Sequence, residues 1–92
     1  MYEYNIYFSH NGNHEYEKII KELDILLDNY TLIEGKGYYH GNQEPSVCLR
    51  VIDLIDNPNT LIILRIVITM IKRIAKQECV LFTERQIFAE LI

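Results

Sequence analysis

The chain has no tryptophan, only two cysteines among its 92 residues, and no long apolar run. Its longest apolar concentration, Leu61 to Ile71, is about half of a membrane span and is interrupted by Arg65 and Thr69. That excludes a spanning helix, so no membrane partner is expected. Cys48 and Cys79 each lie in an apolar, strand-like stretch. Buried free thiols in a reducing compartment follow, rather than a disulfide framework. The opening Tyr2-Glu3-Tyr4 has neither the basic nor the apolar region of a secretory signal, and the expected location is the cytoplasm. Positive charge is also in short supply. The formal net charge is −4, and an acidic surface repels phosphate backbones, which disfavours nucleic acid as a partner. Internal repeats and low-complexity segments are absent, and this length makes a single domain.

What is present is ordinary globular composition, 49% apolar and 24% charged, which argues against disorder. A chain of this size buries roughly two thirds of its unfolded surface, enough for a core without staples. Residues 2–9 alternate: Tyr2, Tyr4, Ile6 and Phe8 take one face, Glu3, Asn5, Tyr7 and Ser9 the other. That is a strand. His10 to His14 reads as a turn in which Asn13 is placed to cap a helix. Tyr16, Ile19, Ile20, Leu23, Leu26 and Leu27 then recur at helical spacing, and the helix is expected over 14–28. Residues 30–39 return to an extended pattern, weakened by Gly35 and Gly37. Val47, Leu49 and Val51 alternate with Cys48, Arg50 and Ile52 in a third strand.

A second helix is expected over 59–76, opened by Asp56-Asn57-Pro58-Asn59. After Thr60 its polar positions are Arg65, Thr69, Lys72, Arg73 and Lys76, one narrow stripe. Packing on one side of a sheet does not need so narrow a stripe; either the helix is seated deeply in a small core, or a second subunit buries one flank, with Ile62, Ile66 or Met70 as the expected contacts of a homodimer. Cys79 to Thr83 forms a fourth strand, Glu84-Arg85 a break or bulge, and Gln86 to Ile92 an extended tail.

The order strand, helix, strand, strand, helix, strand gives an α+β ferredoxin-like βαββαβ domain, a four-stranded antiparallel sheet with two helices on one face. The first strand is then central, between the third and fourth. This order brings three segments to one edge of the sheet: the His10–His14 loop, the hairpin Tyr38-Tyr39-His40-Gly41-Asn42-Gln43-Glu44-Pro45-Ser46, and Gln77-Glu78. Several chemistries fit these residue types. His10, His14 and His40 with Glu44 or Glu78 are metal-ligand types, but their spacing matches no metal motif and no metal or cofactor is expected. Ser46 near His40 has the make-up of a nucleophile and base, without a nucleophile elbow. Glu44 and Glu78 form a potential acid–base pair. Tyr38 and Tyr39 are suited to stacking.

The run Gly37-Tyr38-Tyr39-His40-Gly41 with Glu44 and Ser46, followed by Gln77-Glu78 before Val80-Leu81, resembles a family of small uncharacterised proteins of bacteria and their phages. Members often have Trp where this chain has Tyr39. The resemblance spans residues 30–92 and implies a shared fold and site but no activity. Together these features read as a small non-enzymatic binding or inhibitor protein, encoded by a phage or mobile element and acting on a host defence protein in the host cytoplasm. Its binding surface is expected to comprise Tyr38, Tyr39, His40, Glu44, Ser46, His10, His14, Gln77 and Glu78. The alternative is a small enzyme, or a metal or small-ligand binder, using the His and Glu residues of the same edge.

Overall fold

Strict alternation along β1 (Tyr2–Ser9) gives one strand two different faces. The computed structural model describes all residues from Met1 to Ile92. Tyr4, Ile6 and Phe8 are buried under the helices, whereas Glu3, Asn5 and Tyr7 lie on the helix-free face. The remaining elements are α1 (Asn13–Leu26), β2 (Thr31–Tyr39), β3 (Asn42–Asp53), α2 (Thr60–Ile74) and β4 (Leu81–Gln86). The sheet order is β2-β3-β1-β4, with every neighbouring pair antiparallel. β1 is therefore central, as the sequence implies. No helix is long and apolar enough to cross a membrane.

The core is one contiguous cluster between sheet and helices. From α1 it takes Ile19 and Leu23, from α2 Leu64, Val67, Met70 and Ile71, and from β3 Val47, Leu49 and Val51. Tyr4 stacks on Phe82 with ring centroids 6.0 Å apart, and burial holds its hydroxyl above the usual phenol range.

Several boundaries depart from the sequence reading, each for a local reason. α1 ends at Leu26 because Leu27 is extended, its N–H still bonded to Leu23 O at 2.8 Å. Asn13 lies inside the helix and Gly12 occupies the N-cap position with no side-chain cap. Glu15 instead reaches back, accepting the Asn11 backbone N–H at 3.0 Å and its side-chain amide at 3.3 Å. β3 starts five residues before the expected Val47, because hairpin pairing extends it. Glu84-Arg85 does not break β4, since both residues pair with β1, and the strand stops at Gln86 without continuing into the tail. Cys79 precedes β4 and is exposed, so the expectation of two buried thiols holds only for Cys48. On α2, Ile62 and Ile66 are exposed, whereas Met70 belongs mainly to the core, 5% exposed, and reaches the surface only in the lining of the groove it shares with Ile62 and Ile66.

α2 closes with a turn that matters for the site. Ala75 is its C-cap, Lys76 follows at φ 54, and the Gln77 N–H bonds to Lys72 O at 3.0 Å. This is a Schellman arrangement with lysine where glycine is usual. A side chain in that left-handed region is strained by about 1 kcal/mol. Lys76→Gly is thus expected to raise stability by up to about 0.5 kcal/mol, because glycine's larger unfolded-state entropy, about 0.4–1 kcal/mol, offsets much of the strain relief. Urea melts should show a higher midpoint at unchanged slope. A lower midpoint would mean that the lysine side chain contributes more than its backbone strain costs.

Candidate functional site

The β2–β3 hairpin turns through His40 (φ 51) and Gly41 (φ 79), flanked by the pair Tyr39–Asn42. Two positive φ values in a two-residue loop make a type I′ turn, whose twist suits a hairpin. Gly41 takes this conformation freely; His40 does so under strain. Gly37 has a different role. It pairs with Glu44, and a Cβ built on it would lie 3.3 Å from Ser46 Cβ and 3.7 Å from Glu44 Cγ. The missing side chain leaves room for Glu44 and Ser46 to lie across β2. The spacing of Gly37, Glu44 and Ser46 thus has a steric basis.

The ladder of β1 with β3 places Ser9 opposite Ser46, and its ladder with β4 places Tyr7 opposite Leu81. Between them opens a cleft of about 650 Å³ lined by Tyr7, Phe8, Ser9, Tyr39, Glu44, Ser46, Gln77, Glu78, Cys79, Val80 and Leu81. One wall is the hairpin, the other the segment from α2 to β4. That second wall is anchored by Gln77. Its side-chain amide donates to Ser9 Oγ, and its Oε1 accepts the Ser9 N–H at 3.4 Å. The only charged side chains of the lining are Glu44 and Glu78. Tyr7 has its hydroxyl held above the usual phenol range, first by the neighbouring Cys48 thiol and then by burial.

Of the residues singled out in the sequence, the structure brings together Tyr39, Glu44, Ser46, Gln77 and Glu78. Tyr38 alternates to the opposite face of the hairpin from Tyr39. The histidines do not join them. His10 stacks on Tyr16 with ring centroids 4.8 Å apart and takes the Gly12 N–H on Nδ1 at 3.2 Å. His14 is exposed on the first turn of α1. His40 sits at the hairpin tip with its ring edge-on to Tyr39 at 4.3 Å, outside the cleft that holds Ser46. No three His, Cys, Asp or Glu side chains come together as a ligand set. Sequence reasoning missed Tyr7, Ser9 and Cys79. The first two were legible as polar-face residues of β1; Cys79 was obscured by the apolar run that follows it.

Away from the cleft, the helix-free face carries a polar network on β1. Glu3 is buried, yet it pairs with Arg50 Nε at 2.8 Å and with the Arg85 guanidinium. Asn5 Oδ1 accepts from Arg50 Nε at 3.0 Å and from the Cys48 thiol at 3.4 Å, while its amide donates to Glu3 Oε1 at 3.3 Å. The hydrogen bond from Arg85, then that from Asn5, holds the Glu3 carboxyl below its ordinary value against the opposing effect of burial.

Two helices over one face of a four-stranded antiparallel sheet in this order define a ferredoxin-like α+β protein. No family model matches the sequence, and no curated protein matches it. Among solved structures, a phage SAM lyase in its apo state is similar with a TM-score of 0.73 at 18% identity, over 91% of this chain and 78% of that one. A phage SAM lyase in complex with S-methyl-5′-thioadenosine gives a TM-score of 0.73 at 16% identity, over 92% and 80% of the two chains. A dimeric ferredoxin-like protein of unknown function from Thermobifida fusca gives 0.52 at 17% identity, over 95% and 92%. At such identities the likeness establishes the fold.

The Glu3 network has a pH signature. A carboxyl whose folded-state pKa is depressed contributes stability above its unfolded value, and this is lost as pH falls through the folded value. Glu3→Gln is expected to be less stable than the parent at pH 7. The gap should narrow as pH drops below the ordinary value of 4.5. Denaturant midpoints across that range check it; a gap independent of pH would show that packing, not charge, is what Glu3 supplies.

Proposed function

We propose that the chain binds a small cationic nucleoside of the adenosyl-sulfonium type in the cleft between the hairpin and the approach to β4. The observation that carries this reading is the make-up of the cleft: two carboxylates, Glu44 and Glu78, no Lys, Arg or His, and the aromatic rings of Tyr7 and Tyr39. Carboxylates attract a sulfonium by charge, and aromatic faces attract it through their quadrupole. The same rings offer a stacking surface for adenine. The Ser46 hydroxyl is both donor and acceptor for ribose hydroxyls. A volume of about 650 Å³ lies within the usual range of ligand pockets, roughly 300–1,000 Å³. The reading is supported by the fold shared with phage SAM lyase, one structure of which is a complex with S-methyl-5′-thioadenosine. The hairpin's resemblance to small bacterial and phage proteins agrees with a phage or mobile-element origin and a site in the host cytoplasm.

A second reading, a non-enzymatic inhibitor that acts on a host defence protein through the hairpin edge, is favoured by Tyr38 and Tyr39, 69% and 70% exposed there, since exposed tyrosine rings are frequent anchors of protein interfaces. Ile62 and Ile66 are 60% and 50% exposed on α2, more apolar surface than a solvated helix flank normally shows. The same pair is our proposed homodimer contact, and light scattering is expected to give twice the 10.9 kDa chain mass. A mass of one chain at micromolar concentration would remove the dimer.

Titration calorimetry with S-adenosylmethionine and with S-methyl-5′-thioadenosine tests the ligand reading. Saturable binding of S-adenosylmethionine is expected, and Glu44→Ala should weaken it at least tenfold while the melting curve barely moves, because surface changes usually cost within about 0.5 kcal/mol. Release of S-methyl-5′-thioadenosine on incubation would make the protein an enzyme; binding without release makes it a sequestering protein. Absence of binding to either compound sinks the reading.

A further inference from the structure

Two apolar surfaces of this chain are left uncovered, and they match. The first is a groove of about 540 Å³ between the helices, floored by Leu26 of α1 and by Ile62, Ile66 and Met70 of α2. Leu64, Val67 and Ile71 turn to the sheet and are fully buried. At 3.6 residues per turn the groove therefore lies on the outer side of α2. Its cations are Arg65 and Arg73, with one carboxylate, Glu22, against them. The second surface is the arm beyond β4. The Ile87 N–H is still held by Met1 O at 3.0 Å, but Phe88 and Leu91 are 84% and 89% exposed and Ile92 is fully exposed. The arm carries one charge, Glu90. None of the chain's ion pairs uses Glu90, Arg65 or Arg73. We propose that the arm Phe88–Ile92 of one copy lies extended in the α1–α2 groove of a second copy, and that the exchange is reciprocal. This rests on the homodimer reading above and names what covers Ile62 and Ile66.

Charge, spacing and connectivity each point to that occupant. The groove has a surplus of positive charge and the arm is acidic, so the two surfaces are complementary. Side chains alternate along an extended segment, which puts Phe88, Glu90 and Ile92 on one side, with Phe88 and Ile92 about 13 Å apart. Arg65 and Arg73 are eight residues apart on α2, about 12 Å along its axis. With Phe88 and Ile92 seated on the apolar floor, Glu90 falls midway between the two guanidiniums. The arm does not reach the groove of its own chain. Ala89, Glu90 and Leu91 wall a cavity with Arg50 and Ile52 on the helix-free face, so the sheet and a helix layer about 10 Å thick stand between. Five residues span at most about 17 Å, too little to pass round both layers and still lie along the groove. Nor is a free cation waiting on its own sheet face, since Arg50 is held there by Glu3 at 2.8 Å.

The test uses the full chain and sedimentation equilibrium. The parent is expected to dimerise. Glu90→Lys sets like charge against Arg65 and Arg73, and the double variant Arg65→Glu, Arg73→Glu sets like charge against Glu90. Each should weaken self-association about tenfold or more. Mixed in equal amounts, the two variants should dimerise again, because each arm then meets a groove of opposite charge. Phe88→Ser, which changes the arm alone, should weaken the parent dimer to a similar degree; Phe88 is no part of the core, so a misfolded groove variant does not spoil the test. A parent dimer that Phe88→Ser and Glu90→Lys leave unchanged, or folded variants whose mixture stays monomeric, would overturn the arm-in-groove contact. The first of these results leaves a dimer through Ile62 and Ile66 standing, whereas a monomeric parent removes both readings.

Discussion

The register of β1 against both of its neighbours is the constraint on which everything else rests. Backbone pairing runs from Tyr2–Asp53 to Ser9–Ser46 on one side and from Tyr2–Gln86 to Tyr7–Leu81 on the other. A slip of one residue would send every β1 side chain to the opposite face. Glu3 and Asn5 would then face the helices without their arginines, and Ile6 and Phe8 would face water. The polar network therefore specifies alignment as much as it adds energy. Only one pairing gives Glu3 both Arg50 and Arg85. The same alignment puts Ser9 between the hairpin and the α2–β4 segment, so the cleft is a by-product of correct strand pairing.

The fold was readable because its signals are periodic. Alternation in β1 and helical spacing in α1 and α2 are long enough to stand out against local noise. Element order, with right-handed crossovers, then left few topologies. Boundaries were less legible, because they depend on pairing rather than pattern. Glu84 and Arg85 look like a break in a list of residues, yet Arg85 is drawn into β4 by Glu3 across the sheet. Asn13 is a good cap by type, but Gly12 and the reach of Glu15 to Asn11 start the helix differently.

The site was half legible. Strand order alone predicts that the hairpin and Gln77-Glu78 meet, and Tyr39, Glu44, Ser46, Gln77 and Glu78 do line one cleft. The same strand order places the three histidines at that edge, but it does not determine which way a side chain turns. His10 turns to the Tyr16 ring, and His40 packs edge-on against Tyr39 at the hairpin tip without lining the cleft. The enclosure of Asp53 leaves no trace in the sequence. An aspartate at the end of a strand reads as a turn residue, and only three dimensions reveal that one of its oxygens is enclosed and unmatched.

The two walls of the cleft differ in stiffness. β1 pairs with β3 no further than Ser46, so the hairpin from Gly37 to Glu44 projects past the sheet as a two-stranded ribbon. Such a ribbon, without a third strand or a helix beneath it, is marginal in water. The opposite wall is tied to Ser9 through Gln77 and to α2 through its closing turn. Tyr39 and Glu44 thus ride on a spring while Gln77 and Glu78 stand on a post. Amide exchange would run fast at the ribbon and slow at the post. Whatever settles in the cleft must first hold the ribbon still, and that ordering cost lowers affinity while letting the jaw accept occupants of more than one size.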